Sequence, residues 1–208
     1  MKFNVIAISR TLGAGGEDLG ATIAKELGFR YVDSEIVARA AAQAGVTPAE
    51  IAHAEERKGL LTRIFENLAK YGTGTLEEAG LAQPARFDIN TPSYEALIVD
   101  VIRETADQGS VVIVAHGASI PLAGRPDLLR VMVTASRDVR AARIHANSSE
   151  SLAKAVMDID ESDKARADYF RRFYHVDHEQ PTHYDLVIST DTLDVSSAAG
   201  LILRLARA

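Results

Sequence analysis

Cysteine is absent from the 208 residues of the chain, and basic residues are outnumbered by acidic ones. The lack of cysteine excludes disulfide bonds, thiolate metal sites, iron–sulfur clusters and thiol nucleophiles. With 23 Lys and Arg against 29 Asp and Glu, the formal net charge is −6. This balance disfavours broad attraction to nucleic acid or to an anionic membrane, so neither is expected as a partner, although a local basic pocket remains compatible with it.

Long hydrophobic runs are also missing. No stretch approaches the roughly 20 apolar residues that span a bilayer, and residues 1–10 are too short an apolar segment for a signal peptide. We therefore expect a cytoplasmic protein. Apolar residues make up 47% of the chain and charged residues 25%, which is ordinary for a globular protein. Against roughly 150 residues per domain, the length favours one α/β domain with an insertion.

Short apolar runs that are typical of buried strands alternate with helical patterns along the chain. The alternation predicts an α/β fold with a mostly parallel sheet and helices on both faces. A helical but irregular stretch between the second and third strands is interpreted as an insertion. The predicted strands are Phe3–Ile8, Arg30–Val32, Val111–Ala115, Leu129–Thr134 and Asp185–Ser189.

A glycine-rich turn joins the first strand to the first helix. Unpaired N–H groups at a helix amino terminus, approached through glycines, can hold phosphate oxygens. A full phosphate-binding loop reads G-x-x-x-x-G-K-S/T, whereas this chain has Arg, Gly and Glu where that pattern has its first Gly, its Lys and its Ser or Thr. Two interpretations fit this turn: a phosphate cradle, or a turn that only permits close packing of helix and strand. The turn consists of Gly13, Ala14, Gly15, Gly16 and Glu17.

Two charged residues flank this turn, and each has two interpretations. Arg10 could supply the cation that the missing lysine would have provided, since its guanidinium suits phosphate, or it could be an ordinary surface arginine. Glu17 could hold magnesium or could stabilise the helix dipole as a first-turn acid. We favour the dipole for Glu17, and the metal ligands are left unassigned.

Three separated parts of the chain agree in order and spacing with one known family. The segments ISRTLGAGGEDLG, VVIVAHGA and DKARADYFRRFY…YDLVIST resemble the cytidylate kinase-like family of P-loop proteins, here with a degenerate Walker A loop. The resemblance implies a single P-loop kinase-like domain over residues 1–208, a three-layer fold with five parallel strands in the order 2-3-1-4-5. It also implies a helical acceptor-binding insertion over about residues 34–91 and a helical lid over about residues 150–175.

The same resemblance assigns an acceptor site. Cytidylate kinases carry D-S-x-x-x-x-R after the second strand, which Asp33, Ser34 and Arg39 match; it implies that Ser34 and Arg39 bind the acceptor, with Asp33 near it. Near the lid, Asp163 and Arg166 match two acceptor-binding positions. Without the family, the first set fits a capped helix with a solvated Arg39 better than an acceptor site. The second set also fits an acidic, solvated helix start.

Further positions of the family pattern are altered or ambiguous. His116 stands where relatives carry a phosphate-binding arginine, and Ile159 replaces the first arginine of the lid pattern. Arg171 or Arg172 could stabilise developing charge as lid arginines, or could belong to a solvated basic face over aromatic packing.

The function that this resemblance implies is transfer of the γ-phosphoryl group of ATP, with Mg²⁺ neutralising the phosphates, to a small acceptor such as a nucleoside monophosphate. Because the P-loop lysine is missing, a second hypothesis is kept: a non-catalytic sensor of nucleotides or anions on the same fold. Small-molecule nucleotides are the expected partners, and the alanine-rich helices leave room for a homodimer.

Overall fold

The computed structural model describes residues 2–33, 35–44, 93–114 and 117–208. The chain divides into two compact units, one formed by Met1–Asp33 with Arg103–Ala208 and the other by Ser34–Ile102. Most of the expected insertion over about residues 34–91 lies outside the described residues, as do Ser34 and His116.

The helices and strands alternate as predicted. A short 3₁₀ turn over Pro181–His183 precedes the last strand. The elements are β1 (Val5–Arg10), α1 (Gly16–Leu27), β2 (Arg30–Val32), α2 (Glu35–Ala44), α3 (Ser93–Asp107), β3 (Val111–Val114), β4 (Leu128–Thr134), α4 (Arg137–Asn147), α5 (Leu152–Tyr174), β5 (Leu186–Ser189) and α6 (Val195–Arg207).

The five strands form one parallel sheet in the order β2-β3-β1-β4-β5, which confirms the predicted fold class and strand order. The central strand β1 is buried on both faces, with Val5–Ile8 at most 2% exposed, as expected for a strand covered by two helical layers. Ligands of open parallel sheets bind outside the carboxyl ends of the strands. At this edge β1 leads into the glycine-rich turn.

Several element boundaries differ from the sequence-based expectation by one or two residues, such as the start of β1 at Val5 instead of Phe3, and two regions matter for the site. The strand predicted to end before Ser9 continues to Arg10, because the ladder with β4 runs on to the pair Arg10–Val133; a pattern of apolar residues cannot reveal this pairing. The charged region after Glu150, expected to form one or two helices, is one helix that begins after Ser151 and ends at Tyr174. Arg10 is therefore the last residue of a strand and is held by its hydrogen bonds.

Helix α1 packs against the sheet through a glycine. Its apolar positions, which include Leu19 and Ile23, repeat at helical spacing and are fully buried. Gly20 lies on the same side, and a Cβ atom there would be 2.4 Å from Cγ2 of Val114 on β3 and 3.2 Å from the Tyr31 ring. The helix that carries the glycine-rich turn thus sits closer to the sheet than any larger residue would allow.

We predict that Gly20→Ala destabilises the protein although alanine favours helices, since the added methyl overpacks the contact with Val114. Overpacking costs about 1–3 kcal/mol, which lowers the melting temperature of a chain of this size by several degrees. The matched control is Gly200→Ala in α6, where a Cβ meets nothing within 4 Å and helix propensity adds about 0.5–1 kcal/mol. Thermal unfolding followed by circular dichroism checks both, and a Gly20→Ala protein as stable as the parent contradicts the close approach.

Candidate functional site

The turn between β1 and α1 has a backbone that glycine makes accessible. Gly13 and Gly15 both have φ of +79°, a left-handed conformation that side chains disfavour. Inside the turn the Ala14 N–H donates to the Thr11 carbonyl at 3.1 Å, and the Thr11 N–H donates to the Val133 carbonyl on β4 at 3.1 Å. The turn is thereby fixed to the sheet at its start.

Several N–H groups of this turn and of the first turn of α1 have no acceptor in the described part of the chain. A helix leaves its first N–H groups unsatisfied, and here only that of Leu19 finds a carbonyl, at Gly15. Such donors at the positive end of a helix favour an anion. The N–H groups without an acceptor belong to Leu12, Gly13, Gly15, Gly16, Glu17 and Asp18.

Two of the glycines also serve close packing. A Cβ at Gly13 would lie 3.0 Å from the Arg140 carbonyl oxygen and 3.2 Å from Ile144 of α4, and one at Gly16 would lie 2.6 Å from Cβ of Arg10. The two interpretations that the sequence left open, a phosphate cradle and a turn that permits close packing, are therefore compatible with each other. Glycine lets α4 and Arg10 pack against the turn, and it leaves the N–H groups uncovered.

The carbonyl oxygens of the turn are bound by side chains from the carboxyl-end side of the sheet. Those of residues 12, 13 and 14 each accept one side-chain hydrogen bond. The donors are Arg140 Nη1 at 3.4 Å, Arg143 Nη1 at 3.5 Å and Thr190 Oγ1 at 2.9 Å. Donors therefore surround the carbonyl oxygens, while the N–H groups stay without acceptors.

Arg10 lies beside the turn, packed against Gly16, and its side chain is 16% exposed. Its Nε atom is 2.5 Å from Oε1 of Glu17. The N–H···O angle does not allow a hydrogen bond, so Nε is buried without a hydrogen-bond partner among the described residues. Glu17, interpreted from sequence as a first-turn acid, is thus also the counter-ion of Arg10. The guanidinium is next to the first turn of α1, where the free N–H groups begin.

A carboxyl and a phenol complete the surroundings of Arg10 at the end of β2. Oδ2 of Asp33 accepts a hydrogen bond from the Tyr31 hydroxyl at 3.3 Å, and Oδ1 is buried without a partner. Burial raises the pKa of Asp33 to about 6, and the Glu17 charge adds to the rise while the Arg10 charge opposes it. Burial also raises the pKa of Tyr31 above its usual range. We call Arg10, Glu17, Tyr31 and Asp33 the Arg10 cluster.

Arg166, predicted to bind the acceptor, is enclosed by protein groups in this structure. Its Nε and Nη2 atoms bind the Glu179 carboxylate at 2.5 and 2.8 Å. Nη1 donates to the Arg10 carbonyl at 2.9 Å and Nη2 to Ser9 Oγ at 2.7 Å. The guanidinium carbon lies 4.8 Å from the centre of the Phe170 ring. The residue connects α5 to the end of β1, and its contact with an acceptor stays a prediction.

Asp163, the other lid residue assigned to the acceptor, forms a two-hydrogen-bond ion pair with Arg140 at 2.9 and 2.7 Å. Arg140 is 7% exposed on its side chain and Asp163 is 41% exposed. The carboxylate therefore balances the buried charge that holds the Leu12 carbonyl of the turn. A role toward an acceptor stays a prediction here as well.

The two arginines near the end of α5 differ. Arg171 is half exposed, donates to Asp168 at 2.9 Å and lies 3.7 Å from Asp177. Arg172 has a buried Nη2 atom without a hydrogen-bond partner within the described ranges. Arg39 is on α2 in the Ser34–Ile102 unit.

The described residues contain no group of three or more His, Asp or Glu side chains arranged to hold a metal ion. Two carboxylates of the Arg10 cluster, Glu17 and Asp33, are nevertheless suitable oxygen donors for Mg²⁺, and the unpartnered Oδ1 of Asp33 fits a cation ligand. Within the same ranges, no helix is both long enough and apolar enough to cross a bilayer.

Sequence analysis missed the residues that hold the turn. Arg140 and Arg143 carry no pattern that sets them apart from other charges on α4, and Glu179 precedes the 3₁₀ turn without any motif. Thr190 gave one usable signal: it directly follows β5, and polar residues at the carboxyl ends of parallel strands face the ligand edge of the sheet.

The all-parallel sheet, with a glycine-rich turn after its central strand, is the fold of P-loop kinases. A shikimate kinase from Bacteroides thetaiotaomicron superposes with a TM-score of 0.52 at 15% identity, over 98% of each chain. An uncharacterized protein from Eubacterium ventriosum superposes with a TM-score of 0.67 at 16% identity, also over 98% of each chain. At these identities the likeness concerns the fold alone.

The family follows from sequence comparison. The model of the cytidylate kinase-like family matches residues 5–192, and the chain belongs to this family, as the resemblance predicted. A cytidylate kinase from Methanothrix thermoacetophila is 25% identical over 205 residues, which cover 98% of this chain and 98% of that protein.

Removing Asp163 is expected to destabilise the turn's support, because Asp163→Ala leaves the Arg140 guanidinium buried without its counter-ion. We expect a loss of about 1–3 kcal/mol in the free energy of unfolding. Asp160→Ala is the matched control on the same helix, since its pair with Arg137 is solvent-exposed and such pairs contribute little. Urea unfolding of both variants measures the difference, and equal midpoints would show that the Arg140–Asp163 pair does not stabilise the folded protein.

The raised pKa of Asp33 predicts a pH-dependent stability. A carboxyl whose folded pKa of about 6 exceeds the ordinary 3.8 binds its proton more tightly when folded, so its contribution is favourable below about pH 4 and is lost as the pH rises to 6. Asp33→Asn should therefore stabilise the protein by about 1–2 kcal/mol at pH 7.5, with the gain vanishing near pH 4.

Asp185→Asn provides a comparison of opposite sign. Hydrogen bonds from Arg130 lower the pKa of Asp185, so its replacement should destabilise the protein at pH 7.5, and the loss should shrink in acid. Melting temperatures of both variants between about pH 3 and pH 8 test the pair, because the loss for Asp185→Asn shrinks only below the ordinary carboxyl pKa of 3.8. A gain for Asp33→Asn that does not change with pH would contradict the shift.

Proposed function

We propose that the protein transfers the γ-phosphoryl group of ATP to a small acceptor, and that the acceptor is a nucleoside monophosphate. The observation that carries this proposal is that the N–H groups of Gly13 and of residues 15–18 have no acceptor among the described residues. Membership of the cytidylate kinase-like family supports it, as does the relative named cytidylate kinase that matches nearly the whole chain.

A polyphosphate matches these donors chemically. It offers several negatively charged oxygens, and hydrogen bonds to charged groups contribute about 1.5–3 kcal/mol each. The donors lie at the amino terminus of a 12-residue helix, whose partial positive charge favours anions. Since Gly16 stands in place of the usual lysine, the backbone would hold a larger share of the phosphate charge than in a full Walker A loop.

Arg10 supplies the side-chain cation in this proposal. Its guanidinium is ion-paired with Glu17 beside the first turn of α1, and a bound triphosphate, carrying more negative charge than one carboxylate, would compete with Glu17 for it. Arg10 would then stabilise charge on the transferring phosphoryl group, and Arg171 or Arg172 would add to this. Phosphoryl transfer asks for positioning and charge stabilisation more than for covalent help from the protein.

The acceptor-site residues keep the roles that the family pattern implies, and the carboxylates for Mg²⁺ are part of our own proposal. Mg²⁺ bound with ATP neutralises phosphate charge, and Glu17 and Asp33 are the carboxylates beside Arg10 that would hold it. Next to the acceptor we place Asp33, Ser34, Arg39, His116, Asp163 and Arg166.

One observation favours the second candidate, a non-catalytic sensor of nucleotides or anions. Arg10 has Glu17 as its counter-ion and no lysine follows the turn, so the loop can bind phosphate without supplying the positive charge that transfer needs. Both functions use the same donors and differ only in turnover.

The decisive experiment incubates the protein with ATP, Mg²⁺ and each nucleoside monophosphate in turn, and follows formation of the diphosphate. We predict product with at least one acceptor, and a loss of 10²–10³-fold in kcat/KM for Arg10→Met, the range seen when one charge-stabilising donor is removed. Methionine keeps an aliphatic stem against Gly16. Arg137→Met, which removes an exposed arginine of α4 paired with Asp160, is the control and should stay within twofold.

Other results separate the candidates. Binding of ATP without product for any nucleoside monophosphate would favour the sensor. If neither ATP nor any other nucleotide raises the melting temperature at millimolar concentration, both functions are contradicted, because a ligand that binds the folded state must stabilise it.

A further inference from the structure

We propose that Thr190, oriented by Arg143, is a positioning residue that presets the phosphate-binding N–H groups of the glycine-rich turn. The inference rests on the proposed function for its purpose, while its geometry stands on contacts within the Met1–Asp33 and Arg103–Ala208 unit. Thr190 is the last residue of the segment YDLVIST that carries the family resemblance, but the resemblance assigned it no role, and Arg143 lies outside the quoted segments.

Thr190 lies one residue beyond β5 and is 3% exposed. Its hydroxyl oxygen is 2.9 Å from the Ala14 carbonyl oxygen and 3.3 Å from that of Thr134. Arg143 Nη1 donates to the same hydroxyl at 2.9 Å, and Arg143 Nη2 donates to the Thr190 carbonyl. Because the guanidinium occupies a lone pair of the hydroxyl, the single hydroxyl proton is left for a carbonyl, and that of Ala14 is the closer one.

Fixing a carbonyl also fixes an N–H group. A trans peptide unit is planar, and its C=O and the following N–H point in opposite directions. Holding the Ala14 carbonyl toward Thr190 therefore turns the Gly15 N–H away from Thr190, and the bond from Arg140 to the Leu12 carbonyl does the same for the Gly13 N–H. Neither N–H has an acceptor among the described residues.

The turn needs such support because its own residues cannot provide it. Gly13 and Gly15 have the conformational freedom that allows φ of +79°, and the same freedom lets their peptide units rotate. Every peptide unit that a ligand must first order reduces the affinity. A buried hydroxyl that holds the carbonyl before any ligand arrives removes that penalty.

The test compares Thr190→Val, which keeps the shape but removes the hydroxyl, with Thr190→Ser, which keeps the hydroxyl. Thr105→Val removes the hydroxyl of another buried threonine, on α3, and controls for general loss of stability. Isothermal titration of each full-length protein with inorganic tripolyphosphate probes the turn without a base or an acceptor. We expect about tenfold weaker binding for Thr190→Val, at most threefold for Thr190→Ser, and no change for Thr105→Val.

Kinetics give a second readout that a merely structural role would not move. Thr190→Val should raise KM for ATP and leave KM for the acceptor nearly unchanged. Arg143→Met removes the group that orients the hydroxyl. It should weaken tripolyphosphate binding and raise KM for ATP, each by a smaller factor than Thr190→Val, and it decides the question if Thr190→Val does not fold. Wild-type affinity for tripolyphosphate in a folded Thr190→Val protein, or equal losses for Val and Ser, would overturn the inference.

Failure of the proposed function is distinguishable from failure of this inference. If the wild-type protein binds neither ATP nor tripolyphosphate, the proposed function falls, and ¹H–¹⁵N spectra of the unliganded proteins decide the positioning role. A sharp Gly15 amide signal in wild type and Thr190→Ser, averaged or broadened in Thr190→Val, supports it, and the Gly13 amide, whose peptide unit Arg140 holds, is the internal reference. Unchanged signals in Thr190→Val refute it.

Discussion

The candidate site depends on the orientation of a few peptide units in a turn that cannot orient itself. Glycine is needed at residue 13 to admit α4, at residue 15 for its positive φ, and at residue 16 to admit Arg10. The resulting backbone would be loose, yet its carbonyls are bound from outside by two arginines and a threonine. The turn thus combines a backbone open to an anion with a fixed geometry.

Charge around the turn is arranged in pairs. Arg140 is balanced by Asp163 and Arg10 by Glu17, so each of these two guanidinium groups has a counter-ion, whereas Arg143 donates to Thr190 and to the Gly13 carbonyl. The two ion pairs differ in hydrogen bonding and in their position at the turn. The first is bidentate and supports the turn from behind, whereas the second lies beside the free N–H groups and lacks a hydrogen-bond geometry. An anion that enters the turn would compete with Glu17 but leave Asp163 in place.

The sheet and most element boundaries could be predicted because they follow from local patterns. Buried strands such as Val111–Val114 are short runs of branched apolar residues, and the strand order came from the family resemblance. Arg10 was placed correctly beside the turn, since it precedes it in the chain. Thr190 could not be paired with Ala14 in this way, because the two are 176 residues apart and one threonine after a strand does not specify which carbonyl it reaches.

The long-range contacts of Arg166 limit how helix α5 can respond to a ligand. Its donors bind Glu179, Ser9 and the Arg10 carbonyl, and Phe170 is buried one turn later. To swing α5 as a rigid body, the molecule would have to break all of these bonds at once and leave a buried cation without partners. These contacts therefore oppose a rigid-body movement of α5, whereas the half-exposed Arg171 in its final turn can change direction while the helix axis keeps its place.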